Sequence, residues 1–197
     1  MSDEWAVPGD RVIEIELPAS RESLAQLRAG DAVTLSGPVF TARDATHVRL
    51  LAEVRAANGA LPYGLWGQTL FYAGPTPPAA GRPAGAVGPT TAKRMDVATP
   101  ELLAAGIVAT IGKGPRSPDV ARACAEHGAV YFTAVGGAAA LLATHVRSAE
   151  TVAYPELGTE ALVRLEFDSF PAFVATDARG ADLFGEVALQ GYARKER

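Results

Sequence analysis

Cysteine is nearly missing from this 197-residue chain: Cys124 stands alone. One thiol excludes an intrachain disulfide. It also falls short of the several thiolates that a metal–sulfur centre takes from its protein. Cys124 lies within the helical pattern Asp119-Val120-Ala121-Arg122-Ala123-Cys124 and reads as a small buried apolar residue. An excess of positive charge is also lacking. The formal net charge is −4, which points away from nucleic acid and from anionic membrane surfaces as partners. The terminal Arg194-Lys195-Glu196-Arg197 reads as a solvated tail. No apolar run approaches the roughly 20 residues that span a bilayer. Met1-Ser2-Asp3-Glu4-Trp5 lacks the basic and apolar regions of a signal peptide, so a cytoplasmic protein is expected. With 48% hydrophobic residues, residues 1–197 suffice for one buried core and are too few for two full domains.

The pattern along the chain alternates strands and helices. Arg11 to Leu17 alternates apolar and charged residues, as a strand does. Ser20 suits the N-cap of a short helix ending near Gly30. Ala32 to Leu35 reads as a strand that Ser36-Gly37-Pro38 breaks. A helix follows, with Thr41 as cap, Asp44 three residues on as in a capping box, and Leu50, Leu51 and Val54 as apolar face. Asn58-Gly59 stops it. Thr69 to Tyr72 is a short strand, and the Pro/Gly/Ala-rich stretch 73–86 is a loop. Thr99-Pro100-Glu101 and Ser117-Pro118-Asp119 both start helices, which Gly106 and Gly128 end. Between and after them lie apolar strands, Ile107 to Ile111 and Ala129 to Val135, the second followed by Gly136-Gly137 and an Ala-rich helix. A crossover of this length makes those strands parallel and buried. Leu162 to Phe167 and Phe173 to Thr176 read as two strands paired around Phe170-Pro171, with a turn at residues 177–180.

Four clusters carry candidate chemistry. In Thr41-Ala42-Arg43-Asp44-Ala45-Thr46-His47, the planar fork of Arg43 suits a carboxylate. Arg43 and His47 can each equally pair with Asp44. Gly88-Pro89-Thr90-Thr91-Ala92-Lys93-Arg94-Met95-Asp96 brings two hydroxyls and an arginine to one side of a helical turn. The turn's free N–H groups add anion affinity. It also reads as an ordinary capped turn. Ile111-Gly112-Lys113-Gly114 puts a lysine between glycines at a strand's carboxyl end, where ligands of such sheets gather. It is no phosphate-binding P-loop: Ile107 stands where the first glycine belongs, and Gly114 where Ser or Thr does. Gly136-Gly137-Ala138-Ala139-Ala140 offers either bare backbone to an anion or close helix–sheet packing. Two arginines, a lysine and paired hydroxyls, without a nucleophile–base triad or metal-ligand spacing, make an anion clamp.

Taken in order, these stretches resemble the small or C-terminal component of class I, iron–sulfur fumarate hydratases and the related tartrate dehydratases. The resemblance extends through Phe71-Tyr72-Ala73-Gly74-Pro75, Glu156-Leu157-Gly158-Thr159-Glu160-Ala161 and Phe170-Pro171-Ala172-Phe173, and covers about Asp31 to Phe184. It implies an α/β fold: a three-layer swivelling β/β/α domain with a partly parallel sheet. It implies a partner, a larger subunit or fused domain, that carries a [4Fe–4S] cluster, and it leaves room for a homodimer. It implies further that Arg43, Thr90, Thr91, Arg94 and Lys113 bind the carboxylates of fumarate, malate or tartrate, and that Thr90 takes part in proton transfer. A free threonine hydroxyl is a poor base unless a partner group activates it. Lys93 departs from the glycine often found before the family's arginine. A stand-alone dicarboxylate-binding or scaffold protein of the same fold is the reading outside enzymes.

Overall fold

A computed structural model describes residues 12–185; Arg11 and the basic tail lie outside the described residues. The order is β1 (Ile13–Glu16), α1 (Arg21–Leu24), β2 (Ala32–Thr41), α2 (Asp44–Ala56), β3 (Thr69–Phe71), α3 (Thr99–Ala105), β4 (Ala109–Gly112), α4 (Pro118–His127), β5 (Val130–Thr133), α5 (Ala139–Leu142), β6 (Val146–Ala153) and β7 (Leu162–Thr176). Among the described residues no helix is long and apolar enough to cross a membrane.

The chain is α/β. Strands β2, β3, β4 and β5 are parallel in that spatial order, and β1 runs parallel to the first half of β2. The antiparallel β7 pairs with β2 along nearly its whole length and with β5 at its end. Five strands, β2-β3-β4-β5-β7, therefore close on one another, while β1 and β6 are attached outside that ring.

The period-2 alternation of each strand separates two cores. Val33, Leu35, Phe71, Ile111, Phe132, Leu165, Phe167 and Phe170 fill the space between the strand layers, where Phe167 stacks on Phe170 at 4.1 Å. Phe40, Leu70, Tyr72, Tyr131 and Leu162 point the other way and meet Leu50, Val54, Leu102, Leu103, Val120 and Cys124 from α2, α3 and α4. Two strand layers and one helix layer result.

Several expectations are corrected. Ser36-Gly37-Pro38 does not end β2. The strand bulges between Leu35 and Gly37 and continues to Thr41. Gly37 has φ 108°, and a Cβ there would collide with the Leu17 carbonyl, so glycine lets the strand bend where another residue would break it. The two strands expected after residue 161 are one 15-residue strand, with Pro171 inside it. β6 has no counterpart in the sequence pattern. It is an outer strand with an exposed middle, so its sequence lacks the apolar signature of a buried one. Thr41 does not cap α2. Its hydroxyl donates to the Ala161 carbonyl (3.2 Å) and accepts from Val163 N–H (3.2 Å), and Arg43 occupies the cap position without a side-chain capping bond. Thr99 lies inside α3, whose cap is Ala98. Ser20 caps α1 as expected, accepting from Ser23 N–H at 3.2 Å, although α1 has only four residues.

Candidate functional site

Because β2 to β5 are parallel, everything directly after their last residues falls on one edge of the sheet. Arg43 follows β2, Gly74 follows β3, Lys113 follows β4 and Gly136 follows β5. Arg43 is mostly covered. Its Nη2 lies 3.4 Å from Glu160 Oε1, while its Nε is buried and makes no hydrogen bond to the described residues. Glu160 also accepts the Ala45 N–H at 2.8 Å, and its carbonyl accepts the Thr46 hydroxyl. This carboxylate thus serves the first turn of α2, where the helix dipole favours it, and holds Arg43 as well. The guanidinium passes so close to Gly74 that a Cβ there would sit 2.6 Å from Arg43 Nη1 and 2.7 Å from the Thr159 carbonyl. The expected partner of Arg43, Asp44, is not its partner.

Thr90, Thr91 and Lys113 are brought together directly. The N–H and the hydroxyl of Thr90 both donate to the Tyr72 carbonyl, at 2.7 and 2.8 Å. The Thr90 carbonyl accepts Lys113 N–H (3.1 Å), and Lys113 returns its carbonyl to Ala92 N–H (3.0 Å). Residues 90–92 therefore run beside β4 like a short extra strand. Gly112 permits it: a Cβ there would lie 2.9 Å from both Ala92 Cβ and Tyr72 Cδ2. Thr90 is partly buried and Thr91 exposed. The stem of Lys113 runs across Gly136, with Cδ 3.2 Å from where a Cβ would be. Among the described residues Lys113 forms no salt bridge.

Arg94 lies on a 3-10 turn, Ala92–Met95, capped by Thr91. Thr90 lies before that turn and its cap Thr91, so the two do not share one side of a helix as expected. Instead Arg94 reaches across to α2. Its Nε donates to Asp44 Oδ1 at 3.1 Å and its Nη2 to Asp44 Oδ2, with both side chains partly exposed. The arrangement links Arg94, through Asp44, to the residue next to Arg43. It gathers three cations and two threonine hydroxyls beyond the ends of β2, β3 and β4. Such a patch suits a small anion with two carboxylates. Gly136 and Gly137 are exposed, and α5 behind them has only four residues. Close packing does occur near them, where a Cβ on Gly88 would meet Ala139 Cβ at 2.7 Å.

The family model described as fumarase C-terminus matches residues 2–187. The chain belongs to the fumarase C-terminus family. It is 40% identical over 172 residues to a class I fumarate hydratase of Escherichia coli, named anaerobic, covering 85% of this chain and 31% of that protein. It is 36% identical over 169 residues to fumarate hydratase 2 of Leishmania major, covering 85% and 30%. The chain thus spans about a third of the length of these hydratases. A Methanocaldococcus jannaschii protein with the provisional name L(+)-tartrate dehydratase subunit beta is 34% identical over 181 residues, with 89% of this chain and 92% of that protein covered.

Sequence reasoning missed the support beneath this fumarase C-terminus site. Arg116 has a fully buried side chain, with Nε donating to Asp96 Oδ1 at 2.7 Å. Its Nη2 donates to the Thr99 hydroxyl (2.7 Å), and its guanidinium lies over the rings of Tyr131 (4.7 Å) and Tyr72 (5.2 Å). Asp96 also accepts Ser117 N–H at 2.8 Å. One buried ion pair thereby ties the loop after Lys113 to the turn bearing Arg94. An arginine in Gly114-Pro115-Arg116-Ser117 carries no sequence mark of burial. His47 was expected to pair with Asp44, and instead it is 3% exposed. Its Nδ1 lies 2.8 Å from the Arg43 carbonyl, which can only accept, so Nδ1 carries the proton and the buried Nε2 has no partner among the described residues. Burial is the main cause that lowers its pKa to about 4, so at neutral pH His47 is an uncharged brace under Arg43. Cys124 is buried, and desolvation pushes its pKa up to about 12.

Proposed function

We propose that this chain is the β subunit of a hydro-lyase that adds water to fumarate, or removes it from malate, in a cytoplasmic complex with a cluster-bearing α subunit. The observation that carries the reading is the set Arg43, Thr90, Thr91, Arg94 and Lys113 on one sheet edge, with Arg43 Nε and Lys113 Nζ unclaimed by described carboxylates. The coverage of nearly a whole subunit named beta supports the subunit reading. The residues of this chain do not fit a [4Fe–4S] cluster of their own: the only thiol is buried and resists ionisation. On this reading the cluster is the partner's, where it would supply a Lewis acid for the substrate hydroxyl.

The chain's own share is binding and orientation. Arg43 and Arg94 offer planar forks and Lys113 a compact charge, enough to neutralise a dicarboxylate dianion. The Thr91 hydroxyl adds a donor. Thr90 is the proton-transfer candidate. Its hydroxyl hydrogen is directed at the Tyr72 carbonyl, which leaves the oxygen lone pairs for a substrate C–H but provides no base. On this reading the activating group comes from the partner. Self-association of the β subunit belongs to the same reading, with sedimentation of the lone chain as its check.

L(+)-tartrate is the second substrate reading, supported by the dehydratase name of one relative. Co-expression with the cluster-bearing chain, anaerobic reconstitution and assay on fumarate, tartrate and mesaconate test both. Turnover of fumarate by the complex, and none by either chain alone, is the expected result. Dicarboxylate binding by the lone chain, with no hydratase activity in the complex, would favour the non-enzymatic reading.

A further inference from the structure

Five N–H groups surround an arginine's guanidinium, arranged on more than one edge. Asp44 takes one edge of Arg94, through Nε and Nη2. Among the described residues the second Nη2 hydrogen and both Nη1 hydrogens have no acceptor. One hydrogen from each of Nη1 and Nη2 forms the end-on fork, another edge that matches a carboxylate in two parallel bonds. Asp44 is itself anchored, being the first residue of α2, with Arg43 as its cap, and a helix N-terminus favours its negative charge. Its two oxygens thus define a plane that the guanidinium must share.

We propose that Asp44 is a positioning residue for Arg94, gripping one edge of the guanidinium so that the opposite fork is presented to a substrate carboxylate. This rests on the reading of Arg94 as a substrate ligand. The pair contributes little to folding: both side chains are more than a third exposed, and water screens exposed ion pairs. What it changes is orientation. Arg94 rides on a short 3-10 turn and has a long side chain, so an ungripped guanidinium would sample many rotamers and lose them on binding. Asp44 removes that freedom beforehand. It also offsets the repulsion among Arg43, Lys93, Arg94 and Lys113 when no dianion is present.

An internal control exists. Arg55 is gripped by Glu101 in the same way, Nε to Oε1 at 2.9 Å and Nη2 to Oε2 at 2.7 Å, between α2 and α3. Breaking that pair changes the fold's electrostatics comparably without touching the site.

The test uses the reconstituted complex. Asp44→Asn keeps size but loses the charge and one acceptor. It should raise KM about tenfold while kcat changes less than about threefold, as loss of ground-state positioning does. Asp44→Glu, which retains a carboxylate, should recover part of that loss. Glu101→Gln should behave as wild type. In a double-mutant cycle, Asp44→Asn should cost little once Arg94 is already Lys, because the grip no longer has a fork to aim. Wild-type KM for Asp44→Asn, or full additivity with Arg94→Lys, would overturn the positioning role while leaving Arg94 as a ligand. Wild-type kinetics for Arg94→Lys, or an inactive wild-type complex, would remove the substrate arginine and the proposal with it.

Discussion

Arg116 and Asp96 form a buried ion pair, with Nε and Oδ1 2.7 Å apart and an arginine side chain out of contact with solvent. The pair joins the loop after β4 to the turn that carries Arg94. Removing one partner of a buried pair leaves the other charge uncompensated, at a cost of about 3–5 kcal/mol. Arg116→Met should therefore lower the unfolding free energy by that order. Arg116→Lys should recover only part of it, since it loses the fork and the stacking on Tyr72 and Tyr131. Urea denaturation of the lone chain measures both. A loss below about 1 kcal/mol for Arg116→Met would show that the pair is not closed to water.

His47 makes stability depend on pH in a defined window. Its folded pKa lies near 4, against 6.5 for the free side chain. Below 6.5 the unfolded chain takes up a proton that the folded chain refuses until about pH 4, so this contribution is complete above 6.5 and is lost as pH falls to 4. The gap corresponds to about 3 kcal/mol. Wild type should lose stability between pH 7 and 4.5 more steeply than His47→Gln, which keeps an amide donor for the Arg43 carbonyl. Parallel slopes for the two proteins would mean that His47 is not buried as a neutral ring.

Burial also sets the fate of the single thiol. Cys124 faces the helix-side core, and its pKa is pushed up to about 12, so the thiolate that alkylating agents attack is scarce at neutral pH. Iodoacetamide at pH 8 should leave the native chain unmodified and label it fully in denaturant. Rapid labelling of the native chain would place Cys124 on the surface.

The parts visible in sequence were those with local or periodic causes. Alternation exposed β1, short apolar runs exposed β4 and β5, glycine and proline marked the helix limits, and the ends of parallel strands brought Lys113 and Gly136 together. What stayed hidden depends on distant partners. Arg43 has Asp44 next to it in sequence, yet binds Glu160, and Asp44 binds Arg94, because the start of α2 is wedged between the segments bearing those residues. No pattern in 162–176 distinguishes one long strand from two, since Ser169 and Pro171 are turn formers that a bent strand here absorbs, with Ser169 at φ 51°. The polar face of β6 hid that strand for the same reason that it tolerates solvent.

The placing of Arg43 yields the most specific structural expectation. Gly74 does not occupy a left-handed conformation, so alanine there meets no backbone objection of its own. Its Cβ would instead fall 2.6 Å from Arg43 Nη1 and 2.7 Å from the Thr159 carbonyl, distances that real methyl groups do not adopt. The arginine cannot simply swing away, because Glu160 holds its Nη2 and its Nε is buried; nor can the Thr159 backbone move without disturbing Glu160. Overpacking of this kind costs about 1–3 kcal/mol of stability. Loss of one charge-assisted contact to substrate costs about 1.5–3 kcal/mol, or roughly 10- to 150-fold in kcat/KM. Gly74→Ala in the reconstituted complex should therefore show both a modest drop in melting temperature and at least a tenfold loss of kcat/KM. Gly136→Ala is the comparison: its Cβ would lie 3.2 Å from Lys113 Cδ, on a flexible stem that gives way, so its kinetic loss should be smaller. Equal kinetics for the two variants, or a Gly74→Ala enzyme that melts lower yet turns over normally, would separate Arg43 from the substrate.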